Sequence, residues 1–495
     1  MRRLLVRHWF PLVTITSIVL LLTRLIWATG SFGDTHDGIF HVVRMTELWD
    51  MLRNGQFPVR WAGNLDHGYG LPLFNYVYPL PYYLGLPIVA LGFSPFWAVK
   101  LVTIMAYLIG GFGIYFLGRK HKFIALAGSI LYLTTPYQLL NIFVRGALGE
   151  TLALAILPWV VITGLDLSKH KLRWYHPIPL SCLFLSHSFL SFIFLPFYLV
   201  LVYRSNASKL IISTLLSLGL ASWYLVPAIF ESNLLKSVVN SDFTFHYSDH
   251  FIYPLQLLWS RWGVGFSVGG AGDDLSFQLG VAQVLIFTIS SYLALKAKKP
   301  IVTILIIVSI FLMLPVSNFI WKIFTPLQLV QFPWRLLFLP TFLIVYQFLQ
   351  TGPRSHTIII PICILTLGFA IYFAHPRYPL NSSQYMTKWY TERYGTTTSS
   401  RTELLPKWVS GTPSPEFLSK NYFPTWQLTD SQGQVISIYP SDTGQIAYDK
   451  SLTSDDQLTL SIRQTSIEIC ANVISVISFL LVLGFSYIPG RKLPV

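Results

Sequence analysis

Apolar runs long enough to cross about 30 Å of hydrocarbon recur along most of this chain, and no other feature limits its fold as strongly. They are Trp9–Thr29, Phe96–Leu117, Phe123–Leu140, Leu148–Leu167, Pro177–Tyr203, Leu210–Phe230, Leu279–Leu295, Ile301–Pro315, Trp334–Leu349, Thr357–Ala374 and Ile467–Ile488. Lipid offers no partners to backbone N–H and C=O groups, so each spanning run must be helical. The expected fold is an all-α polytopic membrane protein of about 11 or 12 transmembrane helices, the spread arising because Pro177–Tyr203 reads as one long span or two short ones. Pro79–Leu91 is apolar but short and carries three prolines, which fits a half-inserted or surface-lying segment. Charged residues make up 11% of the chain, against about 25% in soluble domains. That shortfall excludes a soluble enzyme and a disordered chain.

The few charges are lopsided: 35 Lys and Arg face 21 Asp and Glu, for a net charge of +14. Basic loops resist translocation, so their positions orient the spans. The first run follows Arg2, Arg3 and Arg7, and no small-residue cleavage site follows it, so a retained anchor is expected rather than a signal peptide. With the N-terminus inside, Arg119–Lys122, Lys169–Arg173, Arg204–Lys209, Lys296–Lys299 and Arg491–Lys492 also fall inside. Seventeen of the 35 basic residues then sit on the cytoplasmic side with one acid, Asp166. The remainder is nearly neutral, which nucleic-acid binding would not produce.

On that orientation three hydrophilic stretches lie outside: residues 30–78, 231–278 and 375–466. In the third, Gly433–Tyr439, Gly444–Tyr448 and Leu458–Ile462 alternate apolar and polar residues around Asp/Gly/Ser turns, the signature of short β-strands. The expected organisation is a transmembrane domain over 1–374, an extracytoplasmic β-rich domain over 375–466, and a last helix with a basic tail over 467–495. Cys182, Cys363 and Cys470 all lie in apolar segments and read as small buried hydrophobes.

The first outer loop carries the chemistry-bearing residues. In Gly33-Asp34-Thr35-His36-Asp37-Gly38-Ile39-Phe40-His41-Val42-Val43-Arg44, the residues Asp37, His41 and Arg44 share one face of a helix. Ile39, Val42, Val43 and Trp49 take other faces, which suits a helix lying in the lipid interface. A carboxylate here, Asp34 or Asp37, has the chemistry of a general base toward an acceptor hydroxyl or amine; ordinary interfacial polarity accounts for the same spacing. Asp66 and His67 form a second acidic/imidazole pair, too few ligands for a metal sphere. Arg145 and Glu150 frame a short turn and read as a buried ion pair or as site residues. His187, in Leu185-Ser186-His187-Ser188, is titratable within an apolar segment, hence a functional candidate or a hydrogen-bonded structural histidine. Arg335, in Gln331-Phe332-Pro333-Trp334-Arg335, stands at the mouth of a span, where an arginine holds a phosphate or snorkels to headgroups. No Walker loop, Gly-x-Ser-x-Gly or His-Glu-x-x-His pattern is present.

An Asp-bearing loop after the first span, followed by Pro79-Leu80-Pro81-Tyr82-Tyr83, resembles the GT-C glycosyltransferases. More closely, Thr35-His36-Asp37-Gly38, His41, Arg44, Gly55-Gln56-Phe57-Pro58-Val59-Arg60-Trp61 and Gly68-Tyr69-Gly70 resemble the bacterial membrane family described as 6-pyruvoyl-tetrahydropterin synthase related, akin to YfhO-type proteins. Leu225-Val226-Pro227-Ala228, Glu231, Gln331–Arg335 and Tyr422-Phe423-Pro424-Thr425-Trp426 extend that resemblance over nearly the whole length. Nothing in these motifs suggests pterin chemistry.

The resemblance implies a GT-C-like fold and an inverting glycosyltransferase of the plasma (inner) membrane. Its donor would be a polyprenyl-phosphate-linked sugar and its acceptor an extracytoplasmic glycan, lipid or protein. The catalytic carboxylate of GT-C enzymes belongs to the first outer loop, and both Asp37 and Asp34 match. Asp37 has the better motif, with His41 following; Asp34 is nearer the first span. His41 would orient the base, and Arg335 with Arg145 would stabilise the departing phosphate, with Arg44, Glu150 and His187 lining the substrate. The spacing indicates no metal, leaving the cofactor unknown. A transporter or flippase for lipid-linked glycans would instead line a path with ionisable residues, where Arg24, His187 and Lys100 qualify. A non-catalytic envelope-assembly protein would tolerate loss of every first-loop carboxylate.

Overall fold

The computed structural model describes residues 2–28, 35–203, 206–239, 246–375, 383–384, 388, 395, 404–410, 418–452 and 457–485. Among them, five helices are long and apolar enough to cross a membrane: Pro95–Gly118, Leu148–Asp166, Ala207–Phe230, His356–Phe373 and Ser466–Gly484. The number rises to seven if each of two bent pairs, Lys122–Leu133 with Pro136–Arg145 (44°) and Ile301–Phe311 with Pro315–Ile323 (89°), is one span. Three shorter apolar helices, His8–Leu22, Ser188–Leu201 and Val281–Lys296, also fall in runs counted among the 11 or 12 spans. Hydropathy registers composition, while backbone breaks decide helix length. The run Trp334–Leu349, for example, loses its start to a 3-10 turn over Pro333–Leu337 before the helix Phe338–Thr351 begins.

Pro177–Tyr203 shows how a break survives inside an apolar segment. It forms two pieces, Ile178–Ser186 and Ser188–Leu201, parted at His187, whose backbone is extended (φ −164°, ψ 93°). Backbone at such a break must find its partners within the protein. The Leu183 and His187 carbonyls accept the N–H groups of His187 and Ser191, and the Ser191 hydroxyl donates to both carbonyls at 2.7 Å.

The bundle is built around Pro95–Gly118, which packs against Leu148–Asp166 and Lys122–Leu133. Small residues permit that approach: a methyl on Gly110 would stand 3.3 Å from the Ala155 Cα. Ala207–Phe230 packs against the last helix, Ser466–Gly484, where the Ser222 and Ser475 hydroxyls meet at 2.9 Å. Cys182 and Cys363 are partly buried, whereas Cys470 is exposed on the last helix, contrary to the expectation of burial. That helix is largely uncovered by protein, so an apolar face does not imply a protein neighbour there.

The first-loop helix, Gly38–Arg53, departs from its expected place. Ile39, Val42 and Val43 are 3%, 3% and 1% exposed, so they do not face lipid. They pack inside the protein because the helix lies against Pro95–Gly118 and Leu80–Ala90. An apolar stripe tells only that something apolar covers it.

Among the described residues, six short strands precede the last helix: β1 (Leu418–Asn421), β2 (Trp426–Thr429), β3 (Val435–Ile436), β4 (Ile438–Pro440), β5 (Gln445–Tyr448) and β6 (Thr459–Ile462). They form two antiparallel sheets in the orders β1-β5-β4 and β3-β2-β6, and the three stretches read as strands from the sequence all carry strands. This β region is fastened to the first loop. Lys420 Nζ donates to the carbonyls of Gly63 (3.0 Å) and Gly68 (2.6 Å), and Asn421 Nδ2 donates to Asp66 Oδ2 and the Gly70 carbonyl, both at 2.8 Å. Asp66 thereby serves as an acceptor that holds β1 to the loop.

A second fastening joins the loop to the last helix. Buried Arg60 donates to Asn75 Oδ1 (2.9 Å) and stands 3.6 Å from Glu468. Glu468 closes a capping box with Thr465, and the Thr465 hydroxyl donates to Glu231 Oε1 at 2.5 Å. Loop, Ala207–Phe230 and last helix are thus tied through one polar network.

Candidate functional site

Glu150 begins the helix Leu148–Asp166 and stands where four elements meet. Arg145 grips it from the end of Pro136–Arg145, with Nη1 donating to Oε2 at 2.6 Å and Nη2 to Oε1 at 2.7 Å. Such two-pronged guanidinium–carboxylate pairs are the strong ones. The Tyr137 hydroxyl donates to Oε2 at 2.6 Å. Arg335 approaches Oε1 through Nε at 3.4 Å. His187, placed by the break between its two helices, brings Nε2 to 3.9 Å of the same oxygen. Arg145, Glu150, His187 and Arg335, singled out from separate parts of the sequence, therefore converge.

Aromatic rings complete the walls. The Arg145 guanidinium lies 4.7 Å over the Trp334 ring and that of Arg335 4.8 Å over Phe332. Buried Asn141 Nδ2, His187 Nδ1, Trp334 Nε1 and Arg335 Nε make no hydrogen bond among the described residues.

Asp37 is pinned beside this cluster by the backbone. Its N–H donates to the Arg145 carbonyl at 2.8 Å, and the His36 N–H donates to Val144 at 3.1 Å. The close approach depends on Gly146, which sits at φ +66° and ψ 26°. A methyl on Gly146 would stand 2.9 Å from the Gly38 nitrogen and 2.6 Å from Thr35 Oγ1. Gly146→Ala should therefore separate the two strands of backbone and strain the turn, lowering stability by more than about 1 kcal/mol. A thermal midpoint equal to wild type would contradict this placement.

The Asp37 carboxylate is half-buried at the N-cap of Gly38–Arg53 but caps nothing with its side chain. It lies close enough to Arg44, Arg145, Arg335 and Tyr82 to act on them electrostatically. No ion pair within 4 Å engages it among the described residues. Asp34, the other candidate carboxylate, lies outside the described residues.

His41 is committed elsewhere. Its Nδ1 pairs with the Tyr82 hydroxyl at 2.7 Å, and its Nε2 accepts the Leu148 N–H at 3.4 Å. It thus braces the start of the Glu150 helix, and its side chain makes no bond to Asp37. Arg44 reaches the same Tyr82 hydroxyl through Nη1 at 3.4 Å. Tyr82 stacks on Tyr78, which stacks on His187 at 5.4 Å, so a wall of rings joins the two clusters.

Burial, with a smaller push from Arg44, lowers the His41 pKa well below the ordinary value. The folded ring is therefore neutral where the unfolded one, near pH 6.5, begins to charge. Between those two values the unfolded chain binds more protons, so stability falls as pH drops below about 6.5. Thermal midpoints measured from pH 7.5 to 5 should decline for wild type and decline less for His41→Gln. An identical decline in both would exclude His41 as the cause.

Tyr137 and Asn141 carry no motif that marks them in the sequence. The only available signal is that both are polar at the end of an apolar run broken by Pro136. Trp334, Tyr78 and Tyr82 fall within or beside stretches already singled out, but their stacking is not legible there. Among the described residues, no three of His, Cys, Asp and Glu gather as metal ligands. A small cavity beside Gly38, Asn141 and Thr151 measures about 10 Å³, room for one water at most.

A family model described as "6-pyruvoyl-tetrahydropterin synthase related domain; membrane protein" matches residues 74–376, which include Glu150, His187 and Arg335. Two solved structures of the arabinofuranosyltransferase AftD from Mycobacteria share 13% identity with the chain, at TM-scores of 0.43 and 0.44. The matches cover 74% and 75% of this chain but 26% and 28% of theirs, so it spans about a quarter of their length. No curated protein matches the sequence.

Proposed function

The chain belongs to the family of membrane proteins described as 6-pyruvoyl-tetrahydropterin synthase related, and from that premise we propose that it is a membrane glycosyltransferase using a polyprenyl-phosphate-linked sugar. The observation that carries this reading is a carboxylate, Asp37, that has no ion-pair partner among the described residues and is pinned beside two guanidiniums that share one other acid. A base next to an anion-binding group is what transfer from a phosphate leaving group needs.

In the proposed step an acceptor hydroxyl oxygen forms a bond to the anomeric carbon, and Asp37, or Asp34 in the neighbouring segment, takes its proton. The carbon–oxygen bond to the phosphate breaks, its electron pair leaving with the polyprenyl phosphate, and the anomeric configuration inverts. Arginines beside the phosphate stabilise the charge that develops there. His41 is a positioning residue, holding Tyr82 and the start of the Glu150 helix. The reaction takes place on the outer face, with both termini cytoplasmic. Residues 231–278 and the β-rich domain proposed over 375–466 would present the glycan, lipid or protein acceptor. A transport reading is less well supported, since the Lys100 ammonium donates to the Ile26 carbonyl at 2.7 Å and Arg24 to those of Leu21 and Ile371.

The test is direct. Purified full-length protein in lipid nanodiscs, given synthetic prenyl-phosphate sugars and a panel of glycan acceptors, should release prenyl phosphate. No release with any pentose or hexose donor, from protein shown to be folded, would refute the proposal.

A further inference from the structure

Two guanidiniums share the Glu150 carboxylate, and they share it unequally. Arg145 holds both oxygens at 2.6 and 2.7 Å and also donates to Asn141 Oδ1 at 2.6 Å. Its side chain is 5% exposed. Arg335 meets Glu150 only through Nε at 3.4 Å, and that nitrogen is a buried donor without a hydrogen bond. Its Nη1 rests on the Val330 carbonyl (3.1 Å) and Gln331 Oε1 (3.3 Å), and its side chain is 20% exposed.

Glu150 is the one carboxylate in ion-pair contact with the two guanidiniums among the described residues, and Asp37 offsets the remaining charge only from beyond 4 Å; a buried charge paired so loosely is costly unless an anion meets it. Neutral donors stand unused in the same cluster: His187 Nδ1, Trp334 Nε1 and Asn141 Nδ2. Arginine matches the paired oxygens of a phosphoryl group.

We propose that Glu150 is an internal stand-in anion, from which Arg335 departs to take a phosphoryl oxygen of the ligand while Arg145 stays clamped. This rests on the transferase reading only for the identity of the ligand. The exchange itself follows from the unequal sharing. It divides the labour of the two arginines: Arg145 is structural, and Arg335 is the binding residue whose affinity Glu150 sets by competition. The recognised chemistry is a phosphoryl oxyanion, whether free or at the head of a lipid.

Full-length protein in nanodiscs is titrated with inorganic phosphate and, separately, with farnesyl phosphate. Arg335→Gln should weaken the binding seen in wild type by about tenfold or more, without loss of monodispersity, and Arg335→Lys should restore part of it. Glu150→Gln should tighten binding, because the competitor's charge is gone. Binding of both probes identifies the phosphoryl group alone as the ligand feature; binding of farnesyl phosphate only adds the lipid tail, and the Arg335 dependence stands in either case. The proposal is overturned if wild type binds neither probe, if Arg335→Gln binds as wild type does, or if folded Glu150→Gln binds more weakly. Should Glu150→Gln fail to fold, Arg335→Gln decides alone. Phosphate binding that depends on Arg335, in a protein that transfers no sugar, would sink the transferase reading and leave the exchange standing. Transfer with unchanged binding in Arg335→Gln would do the reverse.

Discussion

Asp37→Asn is expected to reduce sugar transfer by about 10² to 10⁴-fold, the range a positioned general base contributes, with the protein present in the membrane at its normal level. The substitution keeps the size and shape of the side chain and removes its negative charge, and with it the ability to accept a proton. The backbone bond from the Asp37 N–H to the Arg145 carbonyl, which fixes the residue in place, is untouched. Nor is a structural ion pair lost, since none within 4 Å engages Asp37 among the described residues. Prenyl-phosphate release by purified protein and surface glycan in cells both report the effect. Asp34→Asn is the necessary companion. Transfer that survives in Asp37→Asn and vanishes in Asp34→Asn would move the base by three positions; transfer that survives in the double variant would remove the enzymatic reading.

Arg145→Ala and Arg335→Ala should differ sharply in stability although both remove a guanidinium from Glu150. Arg145 supplies the two charge-assisted bonds to the carboxylate and a third to Asn141. Losing it leaves the buried carboxylate with the Tyr137 hydroxyl and the long Arg335 contact, and breaking a buried pair costs about 3–5 kcal/mol. Arg335 gives Glu150 one long contact, and its two hydrogen bonds run to Val330 and Gln331, so its loss should cost less, on the order of 1–2 kcal/mol. Denaturation of the two variants in the same detergent, without ligand, measures the difference. Equal destabilisation would mean that the two arginines hold Glu150 equally, against the asymmetry in distance.

How much of this was legible in the sequence depends on the range of the interaction. The alternation in Gly433–Tyr439, Gly444–Tyr448 and Leu458–Ile462 produced strands because pleat periodicity is written in neighbouring residues. The extended break at His187 accounts for the alternative of two short pieces in Pro177–Tyr203. Glu150, Arg145, His187 and Arg335 were each conspicuous as charges in apolar surroundings, which lipid tolerates only with partners. Their meeting at one carboxylate was not legible, because the Tyr137–Arg335 hydrogen bond alone joins residues 198 positions apart. Likewise Ile39, Val42 and Val43 advertised an apolar face, but protein and lipid cover such a face equally well, and tertiary packing chose protein.

The sequence by itself determined that this chain lives in a membrane, that its charges are scarce, and which few of them deserve scrutiny. Those properties follow from the free energy of placing each residue in hydrocarbon, which is local and nearly additive along the chain. Only the tertiary structure decided where the apolar runs break, that the β region is bolted to the first loop through Lys420 and Asn421, and that two arginines contend for one glutamate. These depend on distances between segments remote in sequence, which packing sets and hydropathy does not encode.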